Sequence, residues 1–144
     1  MKNIPLREKG MNILLEDYIN KVSVPNPRNA PYGEEAVRAM KKSGIYSRVL
    51  RKLVYGESVS QSTQYIYKRL VDVGFTSRSV VLSPQMRGKG IWIEVNPELY
   101  KPIRQGVVIL KNGKNNPYVE EFVKLIFSKK GRDILKKYGY KTGE

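Results

Sequence analysis

The chain has 144 residues and a formal net charge of +14, from 27 Lys and Arg against 13 Asp and Glu. It contains no Cys and no His, which excludes disulfides, thiol nucleophiles, imidazole bases and most zinc sites. Its 40% hydrophobic content suffices for a packed core in one domain or two small lobes. No apolar run approaches the ~20 residues that span a bilayer. Residues 1–15 lack the apolar core of a signal peptide.

The positive charges are scattered as singles and pairs, without a block of five like charges. A basic chain with ten Tyr could bind RNA or single-stranded DNA through phosphate contacts and base stacking. The scatter instead favours a solvated surface that also attracts anions. A basic nucleic-acid-binding protein without catalytic activity is the alternative function.

The first part of the chain predicts a strand that leads into a helix. Residues 1–10 have no period and are expected to form an arm or the end of a loop. A short helix over residues 12–19 and a strand over residues 21–24 follow. Three prolines then turn the chain into a helix that begins at Pro31 and stops at Ser43-Gly44. The predicted inner face of this helix comprises Ala36, Val37 and Met40.

A second strand–turn–helix unit comes next. After a short helix over residues 45–52, a strand is predicted over residues 53–55. Ser58 and Gln61 then form a Ser-x-x-Gln capping box, which specifies the start of a helix. Its predicted core stripe is Val59, Thr63, Ile66 and Leu70.

The remaining elements complete an α/β pattern. Further strands are predicted over residues 71–75, 91–95 and 103–110, with an apolar run at residues 80–82 and a loop at residues 83–90. Two final helices follow, capped by Asn116 and Ser128, with inner faces of Val119, Phe122, Val123 and Ile126, and of Ile134, Leu135 and Tyr138. Strands that alternate with helices predict a mainly parallel sheet flanked by helices.

Two helices that follow strands of one parallel sheet begin at the same edge of that sheet, where ligands bind in open α/β folds. The free N–H groups of a helix N-terminus attract anions. The candidate donors therefore lie at the two helix starts, the first from Ala30 to Gly33 and the second at the hydroxyl-rich residues Ser58, Ser60 and Ser62. The alternative interpretation is a pair of ordinary connections with no ligand.

Catalysis is not expected. Ser58, Ser60 and Ser77 would each need a base, and the chain has no His. No spacing indicates a Ser–Lys pair, and the GKG at residues 88–90 lacks the phosphate-loop pattern.

Five motifs in order resemble the periplasmic molybdate-binding proteins. NPRNAPYG at residues 26–33 resembles their Pro-Tyr-Gly turn, and VYGESVSQ at residues 54–61 resembles their second binding turn. DVGF at residues 72–75 is similar to their Asp-Ala-Gly strand. Residues 102–110 resemble the strand that returns to the other lobe, and residues 128–140 resemble the closing helix.

The resemblance implies a type II periplasmic-binding-protein-like fold and a solute-binding component of an ABC importer. Molybdate or tungstate would be the ligand, with no cofactor and no catalytic residue. Carried over by position, Tyr32 and Val59 would bind the oxyanion through their N–H groups, and Ser77 falls where some members place a Tyr hydroxyl. The supporting positions are Ala30, Pro31, Ser58 and Ser60.

The resemblance also implies that one lobe has no counterpart here. Residues 1–105 would form an incomplete second lobe, and residues 106–144 the return strand and the helices that pack on the first lobe. We therefore expect a truncated or split binding protein, which binds weakly alone and self-associates or exchanges its C-terminal helices. A companion chain that supplies the first lobe is the other option. The implied partner is an ABC transporter permease at the periplasmic or extracellular face, with neither nucleic acid nor membrane insertion.

Overall fold

A three-stranded parallel sheet forms the centre of the fold in the computed structural model, which describes residues 4–143. The strand order is β2-β1-β3, with β1 (Val22–Pro25) between β2 (Leu53–Gly56) and β3 (Val73–Gly74). All four residues of β1 are buried. A strand with neighbours on both sides and cover on both faces is buried along its whole length rather than at alternate positions, and in β1 this burial includes Ser23.

The register of the sheet aligns the carboxyl ends of β1 and β2. Pro25 lies opposite Gly56, and the Asn26 N–H donates to the Gly56 carbonyl at 2.6 Å, which extends the ladder past both strands. On the other side of β1, Ser23 lies opposite Gly74. The turns after β1 and β2 therefore begin side by side.

Helices account for most of the remaining regular structure. Within residues 4–143 they are α1 (Leu6–Lys9), α2 (Pro31–Lys42), α3 (Tyr46–Val49), α4 (Val59–Tyr67), α5 (Arg78–Val81), α6 (Pro117–Phe127) and α7 (Lys129–Lys137). Short 3-10 turns occupy Gly10–Leu15, Leu50–Lys52, Pro97–Leu99 and Lys111–Gly113. None of these helices combines the length and the apolar character that a membrane span requires.

The hydrophobic core lies between the sheet, α2, α3 and the first 3-10 turn. The α2 face predicted to point inward is buried, and Met40 at its centre is 0% exposed. The buried cluster comprises Ile13, Leu14, Ile19, Val22, Val24, Ala36, Val37, Met40, Ile45 and Val49.

The fold class and both strand–turn–helix units are confirmed. α2 has Pro31 in its first turn, and the chain leaves it through Gly44 at φ 70°. The capping box also forms, because the Gln61 N–H donates to Ser58 Oγ at 3.1 Å and Gln61 Oε1 accepts from the Glu57 N–H at 2.6 Å. The division of the chain at residue 105 stays a prediction.

Two predicted strands are wrong. Residues 91–95 and 103–110 form no ladder in the part of the chain that the structure describes. Val108 and Leu110 are 78% and 72% exposed. An apolar segment makes a strand only where a neighbouring strand offers paired backbone groups and a face to cover, and among the described residues neither segment has such a neighbour.

Several smaller boundaries also differ from the predictions. The third strand shrinks to Val73–Gly74, and residues 80–82 mostly belong to α5. The expected helix at residues 12–19 is the 3-10 turn Gly10–Leu15, residues 45–52 divide between α3 and a 3-10 turn, and the expected arm contains α1, with residues 1–3 outside the described chain. Leu70 is 56% exposed rather than buried, because α4 ends at Tyr67.

The two final helices form where predicted, but their apolar faces are only partly covered. Asn116 Oδ1 accepts from the Tyr118 N–H at 3.0 Å, and Ser128 Oγ accepts from the Gly131 N–H at 3.1 Å, so both caps are present. Phe122 and Ile134 were predicted to be buried and are 59% and 49% exposed. We call residues 104–137 the C-terminal arm.

Candidate functional site

The candidate site lies at the carboxyl edge of the sheet, where the turns after β1 and β2 meet. Asn29 in the first turn donates through Nδ2 to Glu57 Oε2 in the second, at 3.0 Å. With the bond between Asn26 and Gly56, this contact ties the approach to α2 to the approach to α4. The two helix starts are therefore held against each other by backbone and side-chain bonds.

The start of α2 leaves one amide free. The Gly33 and Glu34 N–H groups donate to the Ala30 carbonyl at 2.9 and 3.1 Å, and Pro31 has no N–H. Ala30 is buried and offers no side-chain cap. Residues 4–143 contain no acceptor for the Tyr32 N–H. This donor, with the positive end of the helix dipole behind it, is available to an anion.

Close backbone contact fixes the position of this amide. A Cβ on Gly33 would come within 2.0 Å of the Pro25 carbonyl oxygen, which is closer than any side chain tolerates. Gly33 therefore lets the first turn of α2 press directly on the carboxyl end of β1. The glycine of the Pro-Tyr-Gly turn is explained by this approach rather than by contact with a ligand.

The start of α4 has the same design. Ser58 caps it by accepting from Gln61, and the Ser62 N–H donates to the Ser58 carbonyl at 3.0 Å. Among the described residues, the Val59 and Ser60 N–H groups have no acceptor. The Ser58 oxygen accepts in the cap, which leaves its O–H able to donate alongside the Val59 and Ser60 amides.

A buried hydroxyl contact locks α4 to the sheet. Ser23 Oγ lies 2.6 Å from Ser62 Oγ, both side chains are 0% exposed, and Ser62 Oγ also donates to the Phe75 carbonyl at 3.1 Å. The sequence analysis did not identify this pair. A serine in the middle of an apolar, fully buried strand was the available indication, because a buried hydroxyl needs a partner.

Ser77 lies after β3, on the other side of β1. Thr76 and Thr63 join this segment to α4 through hydroxyls 2.7 Å apart. Ser77 is 6% exposed and caps the short helix α5, accepting from the Val80 N–H at 3.4 Å. Its hydroxyl also lies 3.0 Å from Ser79 Oγ.

Tyr140 is a second residue that the sequence analysis missed. Its hydroxyl donates to Ser79 Oγ at 3.3 Å, which extends the line of hydroxyls from Ser77 through Ser79 to Tyr140. The sequence analysis assigned Tyr140 only to the closing helix. Its contact with Ser79 joins distant parts of the chain, and no pattern in the neighbouring sequence predicts it.

The side chain of Tyr32 stays neutral at physiological pH. Burial raises the pKa of its phenol, with further contributions from Tyr140 and Tyr100 nearby. Arg38 lies 3.0 Å from Glu34 Oε1 and 2.9 Å from Glu35 Oε2, so one positive charge offsets part of the two negative charges near the start of α2.

The donor set is unsuited to a cation. Across residues 4–143, no three His, Cys, Asp or Glu side chains cluster closely enough to hold a metal ion. Two shallow, open depressions lie away from this edge, along α7 and beside Asn12 and Arg48. The candidate site is an open edge with amide and hydroxyl donors on one side.

Residues 2–141 match the family of bacterial extracellular solute-binding proteins. The chain belongs to this family. It is 33% identical over 138 residues to the molybdate-binding protein ModA of Rhodobacter capsulatus, covering 96% of this chain and 54% of the relative. It is 34% identical over 128 residues to the molybdate-binding protein ModA of Azotobacter vinelandii, covering 89% of this chain and 51% of that protein.

Solved structures show the same relation. The periplasmic molybdate-binding protein of Azotobacter vinelandii superimposes with a TM-score of 0.82 at 23% identity, over 92% of this chain and 58% of that one. A substrate-binding domain of a putative molybdenum ABC transporter from Clostridium difficile gives 0.71 at 24% identity, over 94% and 58%. At this identity these matches establish the fold.

The predicted resemblance of this chain to the periplasmic molybdate-binding proteins is confirmed. The chain spans about half the length of the curated relatives it matches. Membership of the family does not favour the nucleic-acid-binding alternative. The roles of Tyr32, Val59 and Ser77, and of the supporting positions, stay predictions.

Proposed function

We propose that this chain is one half of the oxyanion-binding site of an ABC importer's solute-binding component, and that its ligand is molybdate or tungstate. The observation that carries the proposal is the pair of unused amides, Tyr32 N–H and Val59 N–H, at helix starts after two hydrogen-bonded strands. Family membership and the names of the relatives support the class of ligand.

Neutral donors suit a tetrahedral dianion. Helix-start amides offer directed hydrogen bonds and partial positive charge without the strong hydration of an ammonium group. The Ser60 N–H and the Ser77 hydroxyl are the next donors, with Ala30, Pro31 and Ser58 shaping the two turns. The function is capture without a chemical step, so it needs no cofactor and no catalytic residue.

The site is one-sided in this chain. An anion held only at the sheet edge keeps much of its hydration, so we expect binding weaker than low-micromolar. A second polypeptide surface would complete the site, and an ABC transporter permease at the periplasmic or extracellular face would receive the ligand. Either a companion chain that supplies the first lobe or a second copy of this chain could provide that surface.

A titration of the isotope-labelled chain with sodium molybdate tests the site. We expect shifts of the Tyr32, Val59 and Ser60 amide resonances at millimolar ligand, with sodium chloride at equal ionic strength as the reference. Tyr32→Pro removes this N–H in the first helical turn, where proline is tolerated, and should abolish the response at Tyr32's neighbours.

Tyr32→Phe is the matched control, because it keeps the amide and removes only the phenol hydroxyl. A response that is spread over surface lysines and unchanged in Tyr32→Pro would contradict the assignment. Low-micromolar or tighter binding by a monomer would contradict the half-site.

A further inference from the structure

Three hydroxyl groups from two distant parts of the chain form a continuous line beside the candidate site. Ser77 Oγ lies 3.0 Å from Ser79 Oγ, and the Tyr140 hydroxyl donates to Ser79 Oγ at 3.3 Å. Ser77 is buried, and Ser79 and Tyr140 are half-buried. Neighbouring hydroxyls that are screened from water orient their protons on one another. The line therefore has a direction, which depends on its first donor.

Tyr140 sets that direction. Its proton is used on Ser79 Oγ, which leaves the Ser79 proton to be donated to another acceptor. Ser77 Oγ is the acceptor beside it, and this oxygen also accepts from the Val80 N–H at 3.4 Å. A hydroxyl oxygen has two lone pairs and one proton. With both lone pairs engaged, Ser77 has a proton to donate and no lone pair to offer.

The end of α7 holds Tyr140 in place for this role. The Tyr140 N–H donates to the Leu135 carbonyl at 3.1 Å, and the Gly139 N–H donates to the Lys136 carbonyl at 2.9 Å, which closes the helix. Gly139 has a φ of 82°, and a Cβ at this position would come within 2.7 Å of Arg78 Cδ. The glycine thus lets the helix end press on the first residue of α5, directly before the serine that Tyr140 contacts.

The same phenol lies near the start of α2. Burial raises the pKa of the Tyr32 phenol, and Tyr140 adds to this effect electrostatically. Tyr140 is therefore close both to the hydroxyl line after β3 and to the residue whose amide is a candidate donor.

We propose that Tyr140 is a positioning residue of the anion site, which acts through Ser79 to keep Ser77 a hydrogen-bond donor. This inference rests on the proposed function and on Ser77 as one of its donors. Because backbone amides also only donate, the site then offers donors alone. Molybdate accepts at every oxygen, whereas hydrogenphosphate is a dianion whose remaining proton needs an acceptor. The hydroxyl line should therefore favour oxyanions that carry no proton, since an unmatched polar group is costly.

Amide-shift titrations of the full chain with sodium molybdate and with sodium phosphate test the inference. The buffer is mildly alkaline, so that phosphate is present as the hydrogenphosphate dianion. Tyr140→Phe keeps the ring and removes the hydroxyl, so Ser77 can turn its proton to Ser79 and offer a lone pair to the ligand. The ratio of the phosphate Kd to the molybdate Kd should fall by roughly threefold to tenfold, as for one hydrogen bond. A purely structural role would weaken both ligands and leave the ratio unchanged.

Tyr138→Phe is the matched control, because it removes the phenol hydroxyl of the other tyrosine at the end of α7. It should keep the wild-type ratio. Ser79→Ala interrupts the line at its centre and should lower the ratio as Tyr140→Phe does. The double variant should lower it no further, because both changes break the same line.

The outcomes separate this inference from the proposed function. A wild type without any molybdate response at the Tyr32 and Val59 amides would overturn the proposed function and this inference with it. A molybdate response with the same ratio of Kd values in wild type and Tyr140→Phe would overturn the inference alone. Additive effects of Ser79→Ala and Tyr140→Phe on the ratio would also overturn it, because they would show two independent contacts.

Discussion

The sheet region, residues 4–103, and the C-terminal arm contain similar apolar residues but bury them to different extents. Ile13, Val24 and Met40 are at most 1% exposed in the sheet region, whereas Leu110 and Phe127 in the arm are 72% and 62% exposed. Both regions have helices with clear apolar faces, and α4 in one and α6 and α7 in the other begin at side-chain caps. The difference teaches that periodicity and caps make a helix, whereas its burial depends on an opposing surface.

Truncating a core side chain is the largest expected perturbation. Met40→Ala should lower the free energy of unfolding by about 2–5 kcal/mol, because it opens a cavity in a filled core. Leu125→Ala in the arm should change it by no more than ~0.5 kcal/mol in dilute monomer, since that side chain is 46% exposed. Urea unfolding followed by circular dichroism measures both values.

Equal losses of unfolding free energy for these two variants in a monomeric sample would contradict the expected difference between the two regions. They would mean that the arm is as well packed as the sheet region.

Adding a methyl group at Gly33 is the next largest perturbation. Gly33→Ala should cost about 1–3 kcal/mol, because the new Cβ meets the Pro25 carbonyl oxygen and forces α2 away from β1. The same shift should move the Tyr32 amide and weaken anion binding.

Gly90→Ala is the matched control, since a Cβ at Gly90 meets nothing within 4 Å. Unfolding free energies and the molybdate titration of the two variants, measured together, check this expectation. If Gly33→Ala proved as stable as Gly90→Ala, the close approach of α2 to β1 would be disproved.

The smallest expected effect is the alkaline titration of Tyr32. Burial raises the pKa of its phenol, so the folded state holds this proton more tightly than the unfolded state. The resulting stabilisation is complete below the unfolded pKa of about 10 and is lost as the pH rises through the folded value. Tyr32→Phe should therefore lose less stability than the wild type between about pH 9 and pH 11.

Urea unfolding at the two pH values measures this difference. Some loss persists in Tyr32→Phe, because burial and the neighbouring Tyr46 also raise the pKa of Tyr55. Identical losses in wild type and variant would show that the Tyr32 phenol is not buried on folding.

Local chemistry made much of the sheet region predictable. The capping box at Ser58 and Gln61, the proline at the start of α2 and the apolar spacing through Met40 each depend on residues within one or two helical turns. The two helix starts as places for donors followed from the same patterns, because a helix start after a parallel strand has a defined place at the sheet edge. The choice of Tyr32 and Val59 within them came from the family resemblance and stays a prediction.

The rest required contacts between distant parts of the chain. The pairing of Ser23 with Ser62 spans 39 residues, and that of Tyr140 with Ser79 spans 61. The predicted strand over residues 103–110 failed for the same reason, since a strand exists only with a partner. Its apolar run at residues 107–110 indicates a surface that another segment covers, but it does not say which segment.

By itself, the sequence determined the class of fold, the positions of the main helices and the two turns that could present amides to an anion. Only the tertiary structure decided that those turns are tied together by Asn29 and Glu57, that Ser77 lies in a line of hydroxyls with Ser79 and Tyr140, and that the arm is exposed among the described residues. The physical reason is range: caps and periodicity act within a few residues, whereas burial and hydroxyl pairing depend on which distant segments meet.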